Sequence, residues 1–192
     1  MNLPDPNPLE GMNLPFPYVL VADAAFPLTK YMMRPYPKKE LTDEKRIYNY
    51  RLSRARRNIE NAFGILCARW QILQKPLSMS PDNLQSVFQA LVCLHNFLMI
   101  GEENKNPADR LYAPNDFMDV DQEDGTVTEG RWREAASPYF TALGRVGGNR
   151  SNHTAVGMRE YMKHYFNSEL GYEQCPWQAK SALRGHDLLM GQ

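Results

Sequence analysis

The stretch from Tyr18 to Trp70 constrains what this chain can fold into more than any other part of it. It opens with an apolar, partly β-branched run at residues 18–22, which is typical of a strand buried on both faces. Asp23 follows directly, and open α/β folds place their chemistry at the C-terminal ends of such strands. The stretch closes with a basic helix that carries Glu60 in its middle. A strand-end carboxylate and a helical carboxylate beside arginines indicate a divalent-metal site acting on a phosphodiester.

The long helix is predicted from about residue 43 to about residue 73, with acidic residues in its first turn. Glu60 lies at the edge of its apolar stripe, and Arg56 and Arg57 come one turn earlier. Gly64, one turn later, removes bulk, and a ligand or a neighbouring backbone could use that space. The apolar stripe is expected to face the core, and its members are Ile59, Ala62, Phe63, Leu66 and Trp70.

Each of these features also has a purely structural interpretation. Asp23 could cap the short helix predicted after the strand instead of binding a metal ion. Glu60 could form an ordinary surface ion pair with Arg56 or Arg57, which contributes only about 0.2–0.5 kcal/mol. His95, in an apolar helix, is interpreted as a hydrogen-bonded core histidine because no second His or Cys stands at ligand spacing. Spacing alone leaves the chemical and the structural interpretations open.

Before this helix, the N-terminal part of the chain is predicted to have little regular structure besides the strand. Residues 1–17 are proline-rich and are expected to form an extended lead-in without structure of its own. Pro27 is well placed to begin a short helix with Leu28, Tyr31 and Met32 on one side. The proline-rich sequence that comes next breaks that helix.

The second half of the chain is predicted to hold one central helix and one acidic loop. After a cap at Ser80 or Asp82, the residues are apolar on nearly every side up to Gly101, so this helix is expected to be largely buried. Residues 102–130 lack periodicity and are predicted to be an exposed loop or a disordered insertion. A weak helical stretch, a glycine-rich turn and a clearer helix are predicted after it, at Trp132 to Leu143, Gly144 to Gly148 and Thr154 to Phe166.

The chain has no net charge, but its charges are unevenly distributed. Twelve Lys or Arg residues stand against four acids from Lys30 to Lys75, whereas ten acids stand against four bases from Glu102 to Glu134. This asymmetry indicates a basic working face and a separate acidic segment. The three cysteines are far apart, which argues against a zinc site and fits a reducing compartment. No unbroken apolar run approaches ~18 residues, so no membrane span is expected.

Six short motifs follow one another between Asp23 and Leu98. They are Asp23-Ala24-Ala25-Phe26-Pro27-Leu28, Met33-Arg34-Pro35-Tyr36, the segment Tyr48 to Arg57, Ile59-Glu60-Asn61-Ala62-Phe63-Gly64, Ala68-Arg69-Trp70 and Leu94-His95-Asn96-Phe97-Leu98. In this order they resemble the DDE-type transposase domain of the PIF/Harbinger superfamily, and especially the transposase-derived nucleases of animals. Tyr165-Phe166-Asn167-Ser168 and Pro176-Trp177-Gln178 resemble the C-terminal end of that group. The resemblance is close over about residues 16–100 and loose over 154–178.

The resemblance implies an RNase H-like fold with a three-acid site that binds Mg²⁺ or Mn²⁺ and acts on DNA. Asp23 matches the second acid of this site and Glu60 the third, so both are expected to be metal ligands and catalytic residues. Arg54, Arg56 and Arg57 are weaker candidates for contacts with DNA phosphates.

The first acid of the family lies on an earlier strand. Only 22 residues precede Asp23, and the one Asp among them, Asp5, sits in the proline-rich lead-in. The chain is therefore expected to be an N-terminally truncated α/β nuclease domain with a helix-rich C-terminal half, which binds metal poorly alone. Four segments are expected: a lead-in at 1–16, the DDE domain at 17–100, an acidic loop at 101–130 and a helical extension at 131–192.

Two functions follow from the resemblance, and the nucleus, with the cytoplasm as well, is the expected location for both. The chain could be a metal-dependent DNA nuclease, or an inactive domesticated relative that binds a Myb/SANT-like DNA-binding protein. A plain basic DNA-binding protein is a third interpretation, against which the lack of a helix-turn-helix or zinc-finger signal counts. The strand at residues 18–22 would lack sheet neighbours, and exposed strand edges promote self-association.

Overall fold

The computed structural model describes residues 3–122, 124–135 and 152–184, which are helix-rich with three two-stranded sheets. The α-helices are α1 (Asp43–Arg69), α2 (Pro81–Glu103), α3 (His153–Phe166), α4 (Glu169–Gln174) and α5 (Gln178–Ala182). The strands are β1 (Asn7–Pro8), β2 (Pro15–Phe16), β3 (Leu20–Val21), β4 (Met32–Met33), β5 (Val120–Asp121) and β6 (Val127–Thr128). Short 3₁₀ helices cover Gln71–Gln74, Pro107–Asp109 and Arg131–Ala135.

The chain divides into two compact units. The first unit consists of Met1–Arg56 and Leu143–Gln192, and the second unit consists of Arg57–Ala142. α1 contributes its N-terminal half to the first unit and its C-terminal half to the second.

The N-terminal part of the first unit contains two pairs of short strands. β1 pairs antiparallel with β2 across a turn in which Gly11 has a φ of 69°, so the prediction of a lead-in without structure is wrong for residues 7–16. β3 pairs in parallel with β4, with Leu20 opposite Met32. A strand is therefore present within residues 18–22, as predicted. The prediction of burial on both faces is wrong, because β4 is the one neighbouring strand within the described residues and Leu20 is 41% exposed.

A tight turn replaces the short helix predicted from Pro27. Thr29 and Met32 exchange backbone hydrogen bonds of 3.1 and 3.3 Å, and the chain then enters β4. The Leu20 N–H donates to Tyr31 O at 2.7 Å, which extends the pairing with β3. The helical prediction is wrong because pairing with a strand outweighs the local signal for a helix start.

The core of the first unit joins residues that are far apart in the sequence. Met33 and Tyr48 are fully buried, and Leu52 of α1 is nearly so. Ala155 of α3 belongs to the same cluster, and Phe166 packs against it. Helices from the C-terminal third of the chain therefore complete a core that begins with β4 and α1.

α1 begins where predicted and ends near the predicted position, but its buried side differs from the expected stripe. Ile59 and Phe63 are 49% and 46% exposed, whereas Asn61 and Ile65 are 8% and 1% exposed. Leu66 is buried as predicted. The predicted stripe is wrong for Ile59 and Phe63 because hydrogen bonds hold Asn61 towards the interior of the second unit.

α2 is much more exposed than the sequence predicts. Ser80 caps it as expected, with its Oγ accepting the Asn83 N–H at 3.4 Å. Within α2 the buried residues are Leu91, His95 and Glu102. The rest of the second unit covers one stripe of α2, although apolar residues lie on most sides of this helix. The prediction of a central, largely buried helix is therefore wrong.

The same helix bears on the membrane prediction. Polar residues interrupt its apolar runs, but by length and average composition α2 could cross a membrane. Core helices of soluble proteins pass the same test, so this property alone assigns no span.

The acidic segment at residues 102–130 is mostly exposed where the structure describes it, as predicted for a loop, but it is ordered, so the alternative of a disordered insertion is wrong. It forms a 3₁₀ helix and the antiparallel β5–β6 hairpin. Ala113 and Phe117 are buried in one cluster with a side chain of α1. Hydrogen bonds from Asn61 and Glu102, which hydrophobic periodicity cannot reveal, hold this segment in place.

The C-terminal part is helical. α3 confirms the helix predicted at Thr154 to Phe166, and Asn152 caps it by accepting the Thr154 N–H at 3.1 Å. α4 and α5 add helices where the sequence shows no period. The turn predicted at Gly144 to Gly148 and most of the stretch predicted at Trp132 to Leu143 lie outside the described residues.

Candidate functional site

Asp23 lies in the first unit, two residues after the end of β3. Its Oδ1 accepts a hydrogen bond of 2.8 Å from the Ala25 N–H, so the carboxylate closes the turn that follows the strand. Arg34 supports the same turn by donating from Nη1 to Phe26 O at 3.1 Å. The short helix that Asp23 was predicted to cap is absent, and the carboxylate caps a turn instead. A carboxylate has about four acceptor positions, so this contact is compatible with metal binding as well.

Glu60 lies in the second unit, partly buried on α1. The Arg133 guanidinium has a raised pKa, chiefly because of its hydrogen bond to Asp119, and the charge of Glu60 adds a smaller effect. Glu60 is thus close enough to Arg133 for their charges to interact. A mid-helix position holds a carboxylate rigidly, which suits a metal ligand because small displacements of catalytic groups greatly reduce the rate.

Arg54, the first of the three candidate phosphate contacts, is engaged inside the first unit. It donates from Nη1 to the Tyr50 hydroxyl at 2.9 Å, and its guanidinium lies 5.3 Å from the centroid of the Trp177 ring. One turn earlier, Arg51 donates from Nε to Gln178 Oε1 at 2.7 Å. These arginines fasten the C-terminal segment to α1, a structural role that sequence reasoning did not assign to them.

Arg56 and Arg57 are the other two candidate phosphate contacts. Arg57 forms an ion pair with Asp121 of β5, in which the Arg57 side chain is partly buried and Asp121 is exposed. Arg56 is partly exposed. The pairing of Arg57 with Asp121 shows that a carboxylate of the acidic segment occupies a position on the basic helix where a phosphate could bind.

Asn61 organises a hydrogen-bond network that sequence reasoning missed. Its Oδ1 accepts from the Asp119 N–H and from Trp132 Nε1, and its Nδ2 donates to Asp119 O, each at 3.0 Å. The Asp119 carboxylate is completely buried and accepts from the Gly130 N–H at 2.8 Å and from the Arg133 guanidinium. Burial alone raises the pKa of Asp119, but the hydrogen bonds from Arg133 and Gly130 outweigh it, so the pKa lies below its ordinary value.

Gly64 leaves a space beside α1 that another side chain occupies. A Cβ at this position would lie 2.3 Å from Cε3 of the Trp132 indole. The sequence analysis predicted that the missing side chain of Gly64 leaves space near Glu60 for a ligand or a neighbouring backbone. In the structure the Trp132 side chain occupies that space.

Glu102 is a second carboxylate that sequence reasoning missed. It is buried at the end of α2 and accepts the backbone N–H groups of Leu111, Tyr112 and Ala113 at 2.7 to 3.1 Å. The sequence signal that could have revealed this role is the position of an acid on the buried stripe of an apolar helix. On the same stripe, His95 Nδ1 lies 2.9 Å from the Tyr112 hydroxyl, and burial lowers the pKa of His95, as expected for a core histidine.

The donor set for a divalent metal is of the right chemistry but incomplete. Asp23 and Glu60 offer carboxylate oxygens, which Mg²⁺ and Mn²⁺ prefer. They belong to different units, each of which is described by itself. Across residues 3–122, 124–135 and 152–184, no three His, Cys, Asp or Glu side chains come together as a metal-binding group.

A comparison with known families was made for the whole chain. Residues 8–96, slightly less than half of the chain, match the family model of the DDE superfamily endonuclease. This range contains Asp23 and Glu60 and ends within α2. No curated protein and no solved structure matches the chain significantly. The similarity to DDE endonucleases is thus supported, and the PIF/Harbinger subtype stays a prediction.

Proposed function

We propose that this chain is part of a PIF/Harbinger-type, transposase-derived nuclease that hydrolyses DNA phosphodiesters with Mg²⁺ or Mn²⁺. The observation that carries the proposal is the match of residues 8–96 to DDE superfamily endonucleases, which includes both Asp23 and Glu60. The positions of these acids after a strand and on a helix support it. The proposal includes an RNase H-like fold for the complete domain and a location in the nucleus and also the cytoplasm.

In this proposal Asp23 and Glu60 are metal ligands and catalytic residues, and a third acid, which the described residues do not supply, completes the set. A bound divalent ion would polarise the scissile phosphate and activate water. Arg54, Arg56 and Arg57 are weaker candidates, as contacts with DNA phosphates. Arg57 would exchange Asp121 for a phosphate group when DNA binds.

The test is Mn²⁺-dependent nicking of supercoiled plasmid by the longest natural form of the protein and by its Glu60→Gln variant. Glu103→Gln, which changes an exposed acid of α2, is the matched control. Loss of several kcal/mol of transition-state stabilisation should reduce nicking by Glu60→Gln on the order of 100-fold, with the control unchanged. Nicking by Glu60→Gln at the wild-type rate would remove Glu60 from the site.

A second candidate is an inactive domesticated relative that binds a Myb/SANT-like DNA-binding protein. The incomplete acid set among the described residues favours it. The ordered acidic segment also favours it, because it presents exposed carboxylates to a basic partner; that of Asp116 is 60% exposed, and a basic partner would compete for it with Arg131. Co-purification with a Myb/SANT-like domain at low salt is the test, with Asp116→Asn expected to weaken the complex. If no complex forms at low salt, this candidate fails.

A further inference from the structure

Two contacts hold the start of the β5–β6 hairpin against the part of α1 that belongs to the second unit. Asn61 pairs with both backbone groups of Asp119 through hydrogen bonds of 3.0 Å. One helical turn earlier, Arg57 pairs with the carboxylate of Asp121. Four residues of helix rise about 6 Å and two residues of extended chain about 7 Å, so the two contacts match in spacing. The chain from Asp119 to Asp121 therefore runs antiparallel to α1, with its acids in register with the helix.

The pair of Arg57 and Asp121 has the chemistry of an arginine–phosphate contact. A carboxylate offers oxygen acceptors to a guanidinium group as a phosphate does. The Arg57 side chain is 16% exposed, so part of it remains at the surface. Its charge also reaches Asp119: burial raises the pKa of Asp119, the hydrogen bonds from Arg133 and Gly130 lower that pKa, and Arg57 lowers it further. Arg57 thus interacts with two carboxylates of the acidic segment.

Apolar burial contributes little to holding the hairpin on α1. Val120 of β5 and Val127 of β6 are 43% and 36% exposed. The turn between the strands is closed locally, by the Asp124 carboxylate, which accepts the Thr126 N–H at 2.8 Å. A segment with few buried apolar contacts opens at a lower free energy than a core element. The hairpin can therefore keep its own turn when its contact with Arg57 is broken.

We propose that the β5–β6 hairpin is an autoinhibitory element, in which Asp121 occupies Arg57 in the place of a DNA phosphate. The inference rests on the proposed function, because DNA is the ligand that competes with the hairpin. When DNA binds, a phosphate oxygen replaces the Asp121 carboxylate on the guanidinium and the hairpin moves off the helix. While the hairpin is closed, its exposed acids, Asp121, Asp124 and Glu129, also repel the phosphate backbone. The closed form therefore binds DNA more weakly than the open form.

The first measurement is the affinity of the full chain for a short fluorescent DNA duplex, by anisotropy in the presence of EDTA, so that binding is followed without cleavage. Asp121→Asn removes the competing charge and should bind the duplex about 5-fold more tightly than wild type, which corresponds to the loss of a partly exposed ion pair. Asp109→Asn removes the same charge from an exposed position in the 3₁₀ helix Pro107–Asp109 and should bind like wild type. It is the matched control.

The second measurement is the salt dependence of the same affinities. Arg57, once released, adds one phosphate contact, so the slope of log affinity against log salt should be steeper by about 0.9 for Asp121→Asn than for wild type. In an Arg57→Gln background, Asp121→Asn should change neither the affinity nor the slope, because no guanidinium is left to release. Asp121→Ser should repeat the result of Asp121→Asn, and circular dichroism verifies that the variants keep their helix content.

Three results would overturn the proposal, and they differ in what they say of the nuclease. Equal affinities and equal slopes for wild type and Asp121→Asn, with both binding the duplex, would make the ion pair purely structural and leave the nuclease proposal standing. A gain that Asp109→Asn shares would assign the effect to net charge instead of Arg57. Failure of both wild type and Asp121→Asn to bind the duplex at low salt would remove DNA as the ligand, and with it both proposals.

Discussion

A single amide side chain, Asn61, holds the acidic segment as firmly as an apolar core residue would. It is 8% exposed, and it pairs with both backbone groups of Asp119 and with the Trp132 indole. Asn61→Ala should destabilise the second unit by about 2–4 kcal/mol, because it leaves buried polar groups without partners. Urea unfolding measures this change. Asn58→Ala, on the exposed side of α1, is the matched control and should change stability by less than about 0.5 kcal/mol.

Gly64 is expected to resist substitution for a steric reason. Alanine would gain about 1 kcal/mol of helix propensity, but its Cβ would lie 2.3 Å from the Trp132 ring, so the indole would have to move. We expect Gly64→Ala to destabilise the second unit by about 1–3 kcal/mol and to shift tryptophan emission to longer wavelength. Gly157→Ala in α3 meets open space and should stabilise the first unit by about 0.5–1 kcal/mol. A stabilised Gly64→Ala variant would contradict the close contact with Trp132.

At the scale of residues, the range of a contact decides whether sequence reasoning could find it. The capping role of Asp23 was open to prediction because its partner, Ala25, is two residues away. The role of Asn61 was not, because Asp119 lies 58 residues further along the chain and such hydrogen bonds leave no periodic trace. The metal-binding role of Asp23 and Glu60 rests on family similarity and stays a prediction.

At the scale of elements, local signals predicted where helices start, and tertiary contacts decided which sides are buried. Ser80 caps α2 and Asn152 caps α3. Each side chain accepts a backbone N–H that lies no more than three residues further along the chain. The buried side of α2 depends on the segment that follows it. That segment contributes few apolar side chains, so most of an apolar helix remains exposed.

Glu102 joins α2 to this segment, and its ionisation should make the junction sensitive to pH. Burial alone raises the pKa of the carboxyl, but the N–H groups of Tyr112, Ala113 and Leu111 outweigh it, so the pKa lies below its ordinary value. A depressed folded-state pKa means that the contribution to stability is complete above the unfolded-state value of about 4.3. The contribution is lost as the pH falls through the lower pKa of the folded state.

Glu102→Gln is therefore expected to lower the free energy of unfolding by about 2–3 kcal/mol at pH 7, since charge-assisted hydrogen bonds are lost. The difference from wild type should shrink below about pH 4, where the wild-type carboxyl becomes protonated too. Urea unfolding at a series of pH values measures both effects. Glu103→Gln, at the exposed neighbouring position, should follow wild type throughout. A difference for Glu102→Gln that does not vary with pH would show that the carboxylate charge is not what holds the segment.

At the scale of the whole molecule, the family match and the compact units have different boundaries. The match ends at residue 96, but the first unit is completed by residues beyond 142. Arg51 donates to Gln178 Oε1 and to Gly171 O, and its guanidinium lies 4.8 Å from the Phe166 ring centroid. Arg51 lies in one of the motifs that resemble the transposase family, but contacts across about 120 residues could not be predicted from local patterns.

The contribution of α3 to the first core leads to a prediction about shortened chains. A chain that ends at Ala135 lacks Ala155 and the other α3 side chains that pack around Met33, Tyr48 and Leu52. Without them, these residues lose part of their apolar cover, which contributes about 25 cal/mol for each Å² buried. The first unit should therefore unfold in the shortened chain. The second unit, Arg57–Ala142, loses only its last seven residues and should remain folded.

Hydrogen exchange can follow the two units separately. In the shortened chain, amides of residues 43–56 should lose most of their protection, whereas the amides of residues 111–113 that are bound to Glu102 should keep it. Arg51→Ala in the full chain is the milder change and should reduce protection in the first unit selectively, because it removes the hydrogen bonds to Gly171 and Gln178 and the contact with the Phe166 ring, all within that unit. If protection fell equally in both units, they would fold as one cooperative body, and the C-terminal helices would stabilise the region of Glu60 as well as that of Asp23.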